Sequence, residues 1–215
     1  MRLLVVGATG RTGTRVVEHA VAAGHTVRAL GRSAGGRAWP EGVEPLALDI
    51  LDEGVAYEAI EGMDAVVTAL SIPRTSRSPF APVVGPSDLH RRSTELLADA
   101  MTRNGVGRIV KLSAQGVGES ATRAGWGFRL LVAVSNLGPA FRDHGLADDA
   151  LRATDLAWTV VRPPILAEGP GRVEARPDAS TWTWTRVSLD AVAAWVVGAL
   201  DDEATIRQTL TLTPS

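Results

Sequence analysis

Leu3-Leu4-Val5-Val6-Gly7-Ala8-Thr9-Gly10-Arg11-Thr12-Gly13 stands near the start of the chain and decides its fold. Four apolar residues in a row, ending in glycine, read as a strand buried on both faces. Residues 12–23 then place Val16, Val17, Ala20 and Val21 at helical spacing, and Gly24 occupies the position that ends a helix. Between strand and helix the glycines are spaced Gly-x-x-Gly-x-x-Gly. Gly7 lets the chain turn off the strand, Gly10 lets the backbone approach a pyrophosphate, and Gly13 lets the helix pack closely on the sheet. Thr9, Arg11 and Thr12 complete a turn whose free N–H groups face an anion with the helix dipole behind them. The same glycines without a ligand make an ordinary tight turn. Their place after an apolar strand and before a helix is what makes the motif specific.

Outward from this motif the chain keeps alternating. Strands are expected at 26–30, 46–48, 65–70, 108–112, 158–161, 181–185 and 208–213, and helices at 54–60, 87–103, about 146–153 and 189–200. Ser87 or Asp88 reads as the N-cap of the long helix. Strand and helix in alternation predict an α/β, Rossmann-type doubly wound, mostly parallel sheet with helices on both faces. We expect one domain over residues 1–215, whose part from about residue 163 is a small substrate-side extension. Long loops at 72–86, 116–127 and 168–180 all follow strand C-terminal ends, the edge where such sheets bind ligands.

Composition narrows the function. The 215 residues include 22 basic and 24 acidic side chains, a net charge of -2, and no cysteine. Disulfides and thiolate metal sites are excluded, and the charge argues against a nucleic-acid binder. No metal site is expected elsewhere either. The first apolar run is too short for a secretory signal and the longest later one too short for a bilayer span, which points to a cytoplasmic protein away from membranes.

An NAD-preferring site places an acid at the end of the second strand to accept from the ribose hydroxyls. Here the stretch reads Ala29-Leu30-Gly31-Arg32-Ser33. Arg32 stands where the acid would be, with Arg11 nearby and Arg37 as a weaker third. Guanidinium forks suit a 2′-phosphate, so the expected cofactor is NADP(H). Ordinary surface arginines in an arginine-rich chain remain the alternative.

These residues resemble the atypical short-chain dehydrogenase/reductases, specifically the NAD(P)H-binding, NmrA-like group with the flavin and biliverdin-IXβ reductases. The resemblance runs along nearly the whole chain, through Gly7 to Gly13, Arg32, Leu48-Asp49-Ile50, Ala69-Leu70-Ser71, Ile109 to Ala114, Asp143-His144 and Val161-Arg162-Pro163-Pro164-Ile165. It implies that Asp49, followed by Ile50, binds near the adenine amino group. It further implies that Leu70 and Ser71 line the adenosine and ribose, that Ser113 and Ala114 sit beside the nicotinamide, and that Pro163, Pro164 and Ile165 pack on its far side. The less favoured alternatives are an Asx turn or N-cap for Asp49 and a plain strand terminator for the diproline.

The superfamily's tyrosine, followed four residues later by lysine, is absent: Tyr57 is the only tyrosine, with Glu61 at that spacing, and Lys111 the only lysine. Direct hydride delivery remains. Ser113 is the candidate donor to a substrate carbonyl or to the carboxamide, and His144 the candidate proton donor because imidazole titrates near neutrality. Both also read as structural, and water is an equal proton source. His19, His25 and His90 read as structural or solvated. Trp126 and Phe128 are placed to stack on a flat substrate or to pack in the core. Arg74 and Arg77 form a basic loop at the ligand edge or a solvated one. The expectation is an NADPH-dependent reductase of a planar small molecule (a flavin, quinone or conjugated carbonyl), monomeric or homodimeric. The rivals are a non-catalytic NADP(H) sensor and a biosynthetic isomerase or cyclase.

Overall fold

The computed structural model describes every residue except Arg77 and Asp178. The opening motif folds as strand β1 (Arg2–Val6) and helix α1 (Arg11–Ala22). Then come β2 (Thr26–Leu30), β3 (Val43–Leu46), α2 (Val55–Ile60), β4 (Ala65–Thr68), α3 (Leu89–Asn104) and β5 (Arg108–Leu112). The second half holds α4 (Trp126–Val134), α5 (Gly138–Arg152), β6 (Ala157–Arg162), β7 (Ile165–Ala167), β8 (Val173–Arg176), β9 (Arg186–Ser188), α6 (Leu189–Gly198) and β10 (Gln208–Pro214).

Eight of these strands form one sheet in the order β3-β2-β1-β4-β5-β6-β10-β8. It is parallel throughout except at its edge, where β8 runs antiparallel to β10. Leu3 to Val6 are fully buried because both faces of β1 are covered. Leu3 and Val5 face Val16, Val17 and Ala20 of α1 and Val192 and Val196 of α6. Leu4 and Val6 face Ala56 and Ile60 of α2, Leu97 and Met101 of α3 and Leu151 of α5. Each fully buried Val or Leu side chain stabilises this arrangement by roughly 1.5–3 kcal/mol. The doubly wound expectation holds. The strand order reverses between β1 and β4, and a crevice opens at their C-terminal ends, beside the glycine turn.

Several boundaries differ from expectation. β3 starts at Val43 rather than residue 46, pairing Val43 with Val27 and Leu46 with Leu30. Pro45 is tolerated because β3 is an edge strand. The expected strand at 181–185 does not form. Only Thr181 makes an isolated bridge, to Ala124, and the alternating Trp182 and Trp184 are exposed with no sheet edge to join. Short β7 and β9 pair instead, parallel and apart from the main sheet, and β8 lies inside the expected 168–180 loop. α5 begins at Gly138, eight residues earlier than expected, with Pro139 in its first turn, where a missing N–H costs nothing. α4 was not expected at all. No helix among the described residues is long and apolar enough to cross a membrane.

Candidate active site

The glycine turn is shaped by close backbone approach. Gly7 has φ +81°, and a Cβ there would lie 2.8 Å from the Ala69 carbonyl oxygen. A Cβ on Gly13 would lie 2.1 Å from the Gly7 carbonyl oxygen, so any larger residue would push α1 off the turn. Gly10 is the N-cap of α1, no side chain caps that terminus, and the first turn carries no acid. The positive end of α1 is thereby left to an anion.

Two clefts run from this turn. The first, about 260 Å³, is lined by Gly7, Thr9, Gly10, Arg32, Asp49 and Ile50, with Leu70 and Ser71 on the facing wall. Asp49 Oδ1 accepts from the Leu51 N–H at 3.0 Å, so the Asx turn exists and the carboxylate still faces the cleft. The second, about 610 Å³, shares Gly10, Leu70 and Ser71 with the first and continues past Arg11, Thr12 and Arg74 to Ser113, His144 and Pro163. The structure therefore separates the two arginines that the sequence placed together. Arg32 is exposed in the first cleft. Arg11 turns toward the second, where it pairs with Glu168 at 2.8 Å. Arg37 lies over the Trp39 ring, 5.0 Å from its centroid, and lines neither cleft. Arg74 lines the second cleft and donates to the Ser78 carbonyl. Arg77 is outside the described residues.

Beneath the second cleft lies a buried ionic network. Lys111 Nζ, on β5, meets Asp148 Oδ1 of α5 at 2.7 Å, and both side chains are buried. Asp148 Oδ2 also accepts from Arg162 of β6 at 2.9 Å and from the Ser113 hydroxyl at 2.9 Å. Arg162 reaches on to Glu119 at 2.8 Å. One carboxylate thus answers two cations and a hydroxyl, which satisfies groups that would be very costly to bury alone. This corrects the role expected of Ser113. Its proton is committed to Asp148, an acceptor-only partner, so it meets the cleft as an acceptor rather than a donor.

Of the histidines, His144 departs from the proton-donor expectation and His90 follows its structural reading. His144 sits in the middle of α5, and its ring stacks on His90 of α3 with centroids 3.6 Å apart. Burial, reinforced by His90, Lys111 and Arg162, holds His144 well below its ordinary value, so it stays neutral and does not titrate near pH 7. His90 is not solvated. Burial and then Lys111 push it down to about 3. Asp143 acts on a neighbouring helix. Its carboxylate accepts the His90 and Arg91 N–H groups at 2.7 and 3.1 Å, capping α3 from another helix where Asp88, the N-cap residue, does not. His19 pairs with Asp190 at 3.0 Å, and His25 approaches the chain's amino terminus at 3.3 Å.

Past Pro163 the second cleft adjoins a smaller pocket of about 90 Å³. Ala114, Pro163, Pro164 and Ile165 form one wall. Phe128, tilted on Phe141 at 5.8 Å, and Trp182 form the other. Trp126 begins α4, is exposed, and does not line the pocket. Gln115 lines the pocket at 4% exposure. Its Oε1 accepts from the Thr181 hydroxyl, and its Nε2 has no hydrogen-bond partner among the described residues.

Sequence reasoning did not single out Gln115, Asp148, Arg162, Phe141 or Trp182 as site residues. One signal existed: a lone lysine inside the apolar run Arg108-Ile109-Val110-Lys111-Leu112 demands a buried counter-charge. Nothing local identifies which acid supplies it. No group of three or more metal-ligating side chains occurs among the described residues.

The glycine cradle, the uncapped helix start and the paired clefts fit a dinucleotide. Solved structures agree on the fold. An oxidoreductase, ylbE, from Lactococcus lactis aligns over 100% of this chain and 91% of its own, with 21% identity and a TM-score of 0.78. A short-chain dehydrogenase/reductase from Veillonella parvula, solved in complex with NADP, aligns over 99% and 94% with 16% identity and a TM-score of 0.79. A candidate NADH-flavin reductase from Streptococcus pneumoniae aligns over 100% of both chains with 22% identity and a TM-score of 0.74. A search of curated proteins gives no match. The profile of a family described as NAD(P)H-binding matches residues 7–203, which takes in the glycine turn, both clefts and the buried network. The chain belongs to this NAD(P)H-binding family, with the Rossmann-type fold of the short-chain dehydrogenase/reductases.

Proposed function

We propose that the protein is an NADPH-dependent reductase that passes hydride to a planar small molecule such as a flavin, quinone or conjugated carbonyl. The observation that carries this reading is the groove running from the exposed Arg32, over the glycine turn, to an apolar aromatic pocket at Pro163. The nicotinamide, when bound, supplies two electrons and a hydrogen nucleus as hydride; the acceptor's second proton comes from solvent. Arg32 offers a guanidinium fork to a 2′-phosphate at the ribose end. The N–H groups after Gly10 take the pyrophosphate, aided by the α1 dipole. Ser113, its own proton held by Asp148, accepts from the carboxamide N–H₂ and sets the ring's orientation. Neutral His144 packs beside that position without acting as an imidazolium acid. Pro163 and Pro164 give the pocket a rigid wall.

The neutral state of His144 favours a second reading, an NADP(H) sensor that turns nothing over. Two measurements separate them. Purified protein should gain thermal stability with NADPH, and should oxidise it in the presence of 1,4-naphthoquinone or lumiflavin. Binding without oxidation across such acceptors moves the assignment to the sensor. Arg32→Ala should weaken NADPH by about tenfold or more and leave NADH nearly unchanged, the effect of removing a charged hydrogen bond of about 1.5–3 kcal/mol. Equal losses for both coenzymes would contradict the phosphate role.

A further inference from the structure

The pocket beyond Pro163 has a chemistry of its own. No described residue lining it carries a charge, and its walls are Phe128, Phe141, Trp182 and the diproline. A phosphate or carboxylate buried there would meet no counter-charge, at a cost of several kcal/mol. Besides Thr181, Thr183 and Thr185, one buried polar side chain stands out in that uncharged lining. Gln115 is almost wholly buried, and its oxygen is engaged by Thr181. Its Nε2 is buried without a partner among the described residues. Buried polar groups are nearly always satisfied, and an orphaned amide N–H₂ costs about 1–3 kcal/mol. The Thr181 bond holds the carboxamide in one orientation, and the Gln115 N–H is itself anchored on the Pro163 carbonyl at 3.1 Å. The carboxamide is therefore held in the pocket wall, with its N–H₂ just beneath the surface.

We propose that Gln115 is a specificity-determining residue: its N–H₂ donates to the carbonyl oxygen of an uncharged, flat, apolar acceptor of the quinone class. This deepens the reductase reading and rests on it. A donor on the acceptor's oxygen also favours reduction, because negative charge grows on that oxygen as hydride arrives. Acceptors bearing a phosphate or sulfonate on the buried ring are disfavoured, because the pocket offers that charge no partner.

Binding tests this separately from turnover. Protein saturated with NADP⁺, which cannot deliver hydride, is titrated with 1,4-naphthoquinone and with 1,4-naphthoquinone-2-sulfonate by calorimetry and by quenching of tryptophan fluorescence. The chain has no cysteine for a quinone to arylate. The neutral quinone should bind at least tenfold more tightly. Gln115→Leu should weaken it by about tenfold, the loss of one buried hydrogen bond. Gln115→Glu should weaken it at least as much, since a carboxylate sets lone pairs against lone pairs. NADPH affinity and the circular dichroism spectrum, measured on both variants, should match the parent and exclude misfolding. Absence of quinone binding, equal or tighter binding of the sulfonate, or a Gln115→Leu effect under twofold overturns the proposal. If the neutral quinone binds as described but NADPH is never oxidised, the reductase reading fails and the Gln115 assignment stands as a ligand site.

Discussion

Asp148 shows how much one side chain carries. Its carboxylate holds Lys111, Arg162 and Ser113 together under the cofactor cleft, all of them buried. Removing it leaves two cations without it, while removing Lys111 still leaves Asp148 paired with Arg162. Asp148→Ala should therefore cost about 3–5 kcal/mol and Lys111→Met clearly less, an order that urea denaturation of both variants would check. Equal losses would mean that the pair, not the carboxylate, is the unit. The same bond decides what Ser113 can do, since a hydroxyl has one proton and Asp148 takes it.

At the scale of the element, strand, turn and helix act as one device. β1 is buried on both faces, so its end is fixed in space, and α1 packs close enough that no Cβ fits at position 13. Gly13→Ala should cost on the order of 1–3 kcal/mol by overpacking against the turn. It should also abolish the thermal stabilisation by NADPH, because the α1 N–H groups move away from the pyrophosphate. A variant that melts lower but keeps its coenzyme response would separate packing from binding. α5 works similarly at the other end of the groove. It carries Asp143, His144 and Asp148 on one length of helix, so capping α3, stacking on His90 and holding Ser113 are mechanically linked.

Across the whole molecule, the His90–His144 stack joins α3 to α5 and ties stability to pH. The folded state keeps His90 at about 3, below the 6.5 of an unfolded histidine, with Lys111 opposing its protonation and Asp148 favouring it less strongly. His144 shifts the same way. The unfolded chain then binds protons that the folded chain refuses. Stability is complete above pH 6.5 and falls as pH drops toward 3. For His90 the slope is about 1.4 kcal/mol per pH unit, or about 2 kcal/mol by pH 5, and His144 adds in the same direction. Urea denaturation between pH 7.5 and 5.0 should show this fall, and His90→Phe, which retains a ring on His144, should flatten it. Pairing of Asp99 with Tyr57 and Arg103 adds its own acid sensitivity only near carboxylate pKa values, below that window.

The fold and the lining of the first cleft were legible because their signals are local. An apolar run, three spaced glycines, and an arginine just past the second strand lie in short contiguous stretches, and backbone sterics leave such stretches few alternatives. Helix starts were less legible: α5 begins early around Pro139, and its Asp143 caps a helix more than fifty residues back. The donor on Gln115 and the neutral state of His144 lie beyond any local signal. Each depends on which groups approach from distant parts of the chain, and desolvation exists only once those parts have packed. Sequence by itself determined a coenzyme cradle of the Rossmann type; tertiary packing alone decided which polar groups beside it are paired, which are neutral and which are left without a partner.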